Sequence, residues 1–272
     1  MEVGQTVTGD VRGGLGNQLF VVFATLAYAK RNGRRPWFPR RTNYGNRGAY
    51  WDSLLSEAPT EAPTEAPCGV INQTIYMEPP SQRFAEIPIG ADILFGYFQS
   101  PRHFSDESNS IIHELHLLQK REVLRSKVNA GINVSIHFRL GDYKRVGAPL
   151  LGLDYYAAAL SAVSSNLGIA TILYFFEAED EIQVSGWINS LKDSFPAFEF
   201  KPIQSGENTD WEDMLIMSLC NHHVISNSTF SWWSAYLNPS ETKRVACPAN
   251  WLGDPEVAVD MYPKGWIRIK VD

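Results

Sequence analysis

Three clusters of residues in this 272-residue chain combine side chains that do chemistry with spacings that bring them together. The first is Gly13-Gly14-Leu15-Gly16-Asn17-Gln18, a glycine turn that opens an apolar run. Its backbone N–H groups, at a helix start, suit a diphosphate, although such a turn also serves packing alone. The second is His137-Phe138-Arg139-Leu140-Gly141-Asp142-Tyr143. If it leaves a strand, His137 and Arg139 share one face and Phe138 takes the other. That face joins an always-charged, five-donor guanidinium to an imidazole, which fits a phosphate oxyanion beside a polar ring edge. An ion pair from Arg139 to Asp142 is the purely structural alternative. The third is Asp213 followed by Ser226-Asn227-Ser228-Thr229 ahead of Phe230-Ser231-Trp232-Trp233. Four residues of N-cap type before an apolar helix form a second anion cradle, or common caps. The two tryptophans read as core.

Other chemistry is poorly supplied. Glu177, Glu179 and Asp180 follow a strand, but no Asp-x-Asp pair occurs and no His/Cys/carboxylate cluster has metal-ligand spacing. No metal site is therefore expected. The first turn has Leu19 where a dinucleotide fingerprint has its third glycine, Arg34 and Arg35 stand where a ribose-binding acid is due, and no Tyr-x-x-x-Lys pair exists. Nicotinamide chemistry is disfavoured. Cys68, Cys220 and Cys247 give neither a C-x-x-C pair nor a disulfide framework. The sequons at Asn72, Asn133 and Asn227 fall partly inside strand and site positions and read as chance.

The elements that position these clusters alternate. Val7–Val11 reads as a strand, then the glycine turn, then an amphipathic helix stopped by Gly33. Residues 57–67 repeat the unit Ala-Pro-Thr-Glu and read as an extended, solvated surface loop. A helix is expected around 108–128. Strands at 134–138, 171–176 and 223–226 alternate with helices at 154–166, 184–194, 208–221 and 229–237. Two successive βα halves imply an α/β chain of two Rossmann-like domains, 1–125 and 126–272.

Composition bounds the partners. The 24 basic and 30 acidic side chains give a net charge of −6, which disfavours general nucleic-acid binding and a polybasic membrane surface. The apolar stretch Leu19–Ala29 is about half a bilayer span. A cytoplasmic protein is expected, or one peripheral to a membrane.

In order along the chain, Gly13–Phe20, Gly96-Tyr97-Phe98-Gln99-Ser100, His137–Tyr143, Leu153–Tyr156, Met217–Trp233 and Pro263–Ile267 resemble the motifs of the α-1,2-fucosyltransferases of glycosyltransferase family 11. The resemblance implies a GT-B fold, two Rossmann-like domains facing across a cleft, with 1–125 on the acceptor side and 126–272 binding a GDP-sugar. It implies inverting transfer of L-fucose from GDP-β-L-fucose to the 2-hydroxyl of a galactose-terminated glycan, usually without metal. By the same resemblance Arg139 binds the donor diphosphate, His137 contacts the guanosine and Asp213 reads guanine. Ser228 and Thr229 hold phosphate oxygens, Asn227 also binds the donor, Gly14 and Gly16 line the donor turn, and Asn17 sits near the phosphate–fucose junction.

Two departures matter. The family's S-D-D is Ala178-Glu179-Asp180 here, and the segment 146–152 lacks the histidine that the family often carries. Asp142 and Glu179 are the candidates for general base. Other GDP-sugar transferases, O-fucosyltransferases and a non-catalytic GDP-sugar- or glycan-binding relative stand as alternatives.

Overall fold

The structure is a computed structural model that describes residues 6–44, 47–61, 73–81, 83–203, 206 and 208–271, with the side chains of Arg47, Asp142 and Val146 outside the description. Cys68, Asn72 and residues 62–67 of the Ala-Pro-Thr-Glu repeat lie outside the described residues. The chain divides into two compact units, one running to Lys120 and including Val259–Pro263, the other made of Arg121–Ala258 and the stretch from Lys264.

Unit 1 opens with β1 (Thr6–Gly9) and α1 (Leu15–Arg31), followed by β2 (Arg35–Pro36). A small antiparallel hairpin joins β3 (Asn43–Tyr44) to β4 (Arg47–Gly48), and β5 (Ile75–Met77) and β6 (Ile93–Phe95) complete the strands. The order β2-β1-β6-β5 is parallel throughout. α1 differs from its expected amphipathic pattern, because every residue from Gln18 to Ala29 is buried. A helix buried on all sides belongs inside a core. It lies close on β1: a Cβ at Gly9 would collide with the Thr25 hydroxyl, so only glycine permits the approach.

Two expectations need correction here. The helix expected around 108–128 is broken into α2 (Ser108–Glu114) and α3 (Leu117–Val123), because His116 takes a left-handed φ of 53°. The start of the repeat is docked and not freely solvated: Ala58 is buried, and the Phe38 N–H donates to the Pro59 carbonyl at 2.8 Å.

Unit 2 runs β7 (Asn133–His137), α4 (Gly141–Val146), α5 (Leu153–Ser164), β8 (Thr171–Phe175), α6 (Glu181–Ser194), β9 (Glu199–Pro202) and α7 (Asp210–Ser218). It continues with β10 (His222–Val224), α8 (Thr229–Tyr236), β11 (Val245–Pro248), α9 (Pro255–Met261), whose residues from Val259 are counted with unit 1, and β12 (Ile267–Ile269). All neighbours in the order β12-β11-β10-β7-β8-β9 are parallel. The chain lays β8 and β9 to one side of β7, then returns to lay β10, β11 and β12 on the other. Strand order therefore reverses between β7 and β10, and in such sheets ligands bind outside the carboxyl ends at that reversal. Val134, Ile136 and Phe138 join Tyr156, Ile172 and Ile188 in the core. Trp232 and Trp233 are fully buried, as their core reading expects.

Candidate functional site

The reversal point of unit 2 brings the second and third sequence clusters together. β7 ends at His137 and β10 at Val224, so the segments leaving them emerge side by side. His137 Nδ1 lies 3.0 Å from the Ser226 hydroxyl, which is 3.2 Å from that of Ser231. The imidazole sits 5.3 Å from the Phe230 ring. His137 is 5% exposed, and burial, with the Arg139 charge beside it, pushes its pKa down to about 3. It is neutral at pH 7 and offers one ring donor and one acceptor.

Arg139 stands two residues past the strand end. Among the described residues it pairs with Glu177, Nη1 to Oε1 at 2.5 Å; the Asp142 side chain, the alternative partner read from the sequence, lies outside the described residues. Strand register brings Arg139 and Glu177 together. His137 pairs with Phe175 across β7 and β8, so residues two further along each chain meet. The guanidinium carbon also lies 5.5 Å from the Tyr143 ring, whose hydroxyl donates to the Asn227 carbonyl at 2.7 Å. Arg139, Tyr143 and Asn227 thus connect the two exits. Tyr143 and Glu177 are the members of this group that received no role from the sequence. The β7–β8 register that would have found Glu177 is a tertiary fact.

α8 starts at Thr229 with Ser228 as its N-cap residue, yet the Ser228 side chain makes no capping bond and the first turn holds no acid. The Asn227 side-chain oxygen is buried without a hydrogen-bond partner among the described residues. A positive helix end is thereby left for an anion. The burial of Asn133 and Asn227 agrees with reading their sequons as chance.

The acids after β8 divide. Asp180 is 1% exposed, accepts from the Gly141 N–H at 2.7 Å and pairs with Lys144 at 2.8 Å. It caps α4 and is structural. Glu179 is paired with Arg145 at 2.8 Å. Asp142 lies in the first turn of α4, but its side chain falls outside the described residues. Asp213 lies in the first half of α7, behind a capping box of Thr209 and Glu212. Its carboxylate accepts from the Asn208 amide at 2.9 Å, and burial above all raises its pKa to about 6. No described contact joins it directly to Arg139.

The glycine turn belongs to unit 1. Gly14 is the N-cap residue of α1, which has neither a side-chain cap nor an acid in its first turn, and Gly16 is buried in that turn. Gly13 has φ +72°, and a Cβ there would meet the Asn17 amide nitrogen at 2.7 Å. Asn17 in turn accepts from Gln99 at 2.8 Å, and Gln18 ties the turn to the Gly13 and Gly48 carbonyls.

A family model described as glycosyl transferase family 11 matches residues 73–270. The chain belongs to that family. The family 11 match takes in every residue of the unit 2 cluster and begins after the glycine turn. Among proteins similar to this family 11 chain is an Escherichia coli alpha-1,2-colitosyltransferase, 28% identical over 192 residues, covering 66% of this chain and 63% of that protein. The Escherichia coli O-antigen biosynthesis glycosyltransferase WbnK is 27% identical over 181 residues, 58% of this chain and 55% of its own. Galactoside alpha-(1,2)-fucosyltransferase 1 of Lagothrix lagotricha is 23% identical over 151 residues, 53% of this chain and 37% of its own. The chain therefore spans less than two thirds of the length of these curated relatives. Among the described residues, no helix is long and apolar enough to cross a membrane.

Proposed function

We propose that this family 11 chain transfers L-fucose from GDP-β-L-fucose, with inversion, to the 2-hydroxyl of a terminal β-galactoside, and with that activity the GT-B fold. The observation that carries the reading is a guanidinium and an uncapped helix N-terminus on the segments that leave the strand reversal of unit 2, linked through Tyr143. As the acceptor oxygen attacks C1, the bond from C1 to the β-phosphate oxygen breaks and its electron pair leaves with GDP. Negative charge grows on the diphosphate while the sugar gains oxocarbenium character. Arg139 and the α8 amides at Ser228 and Thr229 are fixed donors for that charge, worth most where water is excluded. In this reading the diphosphate displaces Glu177 from Arg139, neutral His137 contacts the guanosine, and the Asp213 carboxylate accepts from guanine. The α1 turn with Gly14, Gly16 and Asn17 serves the same donor. No metal is assigned a role. Asp142 and Glu179 are the candidate bases for the proton of the acceptor hydroxyl, and Glu179 is ion-paired with Arg145.

The name of one relative, an alpha-1,2-colitosyltransferase, favours a second donor reading in which the transferred sugar is colitose. The test is GDP release with a panel of GDP-sugars and galactose-terminated acceptors, followed by linkage analysis of the product. An α-1,2-fucosyl product is expected. Thermal protection by GDP-fucose without GDP release would mark a binder, and release from GDP-colitose alone among the donors would move the donor assignment.

A further inference from the structure

Unit 1 carries a cavity of 350 Å³ that none of the roles above uses. Its walls include Thr8 and Asp10 at the end of β1, Trp37 after β2, and Arg41, Tyr44 and Gln73. The Cα of Gly9 faces α1, so Thr8 projects from the opposite face of the sheet, where it pairs with Ile93. α1 covers one face and this cavity occupies the other, beside the carboxyl end of β1.

Its chemistry is specific. Trp37 and Tyr44 are half-buried rings, and the Tyr44 hydroxyl is held by the Trp51 indole N–H at 3.1 Å. Asp10 is ion-paired with Arg12, whose guanidinium lies 3.8 Å from the Phe95 ring centroid. That stack holds the carboxylate at the cavity wall. The Thr8 hydroxyl oxygen is buried with no hydrogen-bond partner among the described residues. The lining supplies one carboxylate, already paired with Arg12, and one exposed cation, Arg41. Aromatic faces, a fixed carboxylate, an amide and a hydroxyl are the groups that receive the C–H faces and hydroxyls of a neutral sugar. The volume lies near the lower end of the ~300–1,000 Å³ of small-molecule sites, suited to the end of a saccharide and small for a nucleotide-sugar.

We infer that this cavity binds the neutral terminal sugar of the acceptor glycan, with Asp10 accepting its hydroxyls and Trp37 packing on its ring. The inference rests on the transferase reading, because it gives that reaction its second substrate. The test is saturation-transfer NMR of methyl β-galactoside with the intact chain, with no nucleotide present, alongside acceptor kinetics. Asp10→Asn and Trp37→Ala are each expected to weaken the sugar signal and raise the acceptor KM at least tenfold, while GDP still raises the melting temperature by the wild-type amount. Arg41→Ala and Tyr44→Phe, at exposed or half-exposed positions, stand in for any variant that does not fold. Unchanged sugar binding and acceptor KM in the folded variants would overturn the site. Sugar binding lost in the variants, with no transfer from any GDP-sugar by the wild type, would support the site and overturn the transferase reading.

Discussion

Replacing Arg139 by alanine separates catalysis from folding. The guanidinium is 16% exposed on its side chain and pairs with Glu177, whose side chain is 33% exposed. A unit charge about 4 Å from a developing phosphate charge, at an effective dielectric of about 20, gains roughly 4 kcal/mol. Loss of one fixed donor to a developing oxyanion costs about 2.7–4 kcal/mol by mutagenesis, so the two estimates agree. At about 1.4 kcal/mol per decade, turnover should fall roughly 100- to 1,000-fold. Stability should change much less. Glu177 is open enough to rehydrate, so the cost lies nearer the ~1 kcal/mol of surface pairs than the ~3–5 of broken buried ones. The assay is single-turnover GDP release with acceptor present, with a thermal melt on the same sample. Adding Glu177→Gln to Arg139→Ala removes the carboxylate that faced Arg139 and should recover melting temperature without recovering turnover. Turnover of the single variant within about tenfold of wild type would refute the argument.

The remaining predictions concern the guanine contact, metal and the glycine turn. The Asp213 pKa, raised to about 6 chiefly by burial, makes GDP affinity fall as pH drops through that value, because only the carboxylate accepts guanine N–H groups. Between pH 7 and pH 5 calorimetry should show a loss of about tenfold, and Asp213→Asn should flatten the profile. Transfer should continue undiminished in excess EDTA, checked by GDP release; a loss restored by a divalent cation would contradict the metal-free scheme. Gly13→Ala forces a side chain into a φ of +72° and against Asn17. It should cost about 1–2 kcal/mol, a melting shift of roughly 3–8 °C.

What the sequence disclosed was local. The strand, glycine turn and helix that open the chain are readable because periodicity and turn chemistry act over neighbouring residues. His137 and Arg139 could be placed on one face from their spacing alone. Their surroundings could not. The sequence shows no reason for Arg139 to meet Glu177, an acid 38 residues away that strand register brings to it. The apposition of His137 with Ser226 crosses 89 residues and exists only because the sheet reverses between β7 and β10. The break at His116 escaped because the flanking apolar pattern continues through it. Ala58 is buried within a repeat whose prolines announce only that regular structure stops.

Helix polarity ties the candidate site to the rest of unit 2. At their carboxyl ends, three helices are each answered by a cation. Arg121 donates to the Ser218 carbonyl at the end of α7, Arg244 to the Val163 and Ser165 carbonyls at the end of α5, and Lys243 to the Asn238 carbonyl just beyond α8. The negative ends of the dipoles are therefore met by the protein itself. At the amino ends the pattern splits. α5 has Asp154 in its first turn, and α7 has Asp210, Glu212, Asp213 and a capping box. α8 has no acid and no side-chain cap. Of these three helices it alone has its negative end satisfied and its positive end left open, and it is the helix that begins at the strand reversal beside Arg139. A structural role for Ser226–Thr229 would place a capping side chain on that end. Its omission there, against its provision on α7, is what an anionic substrate at α8 explains.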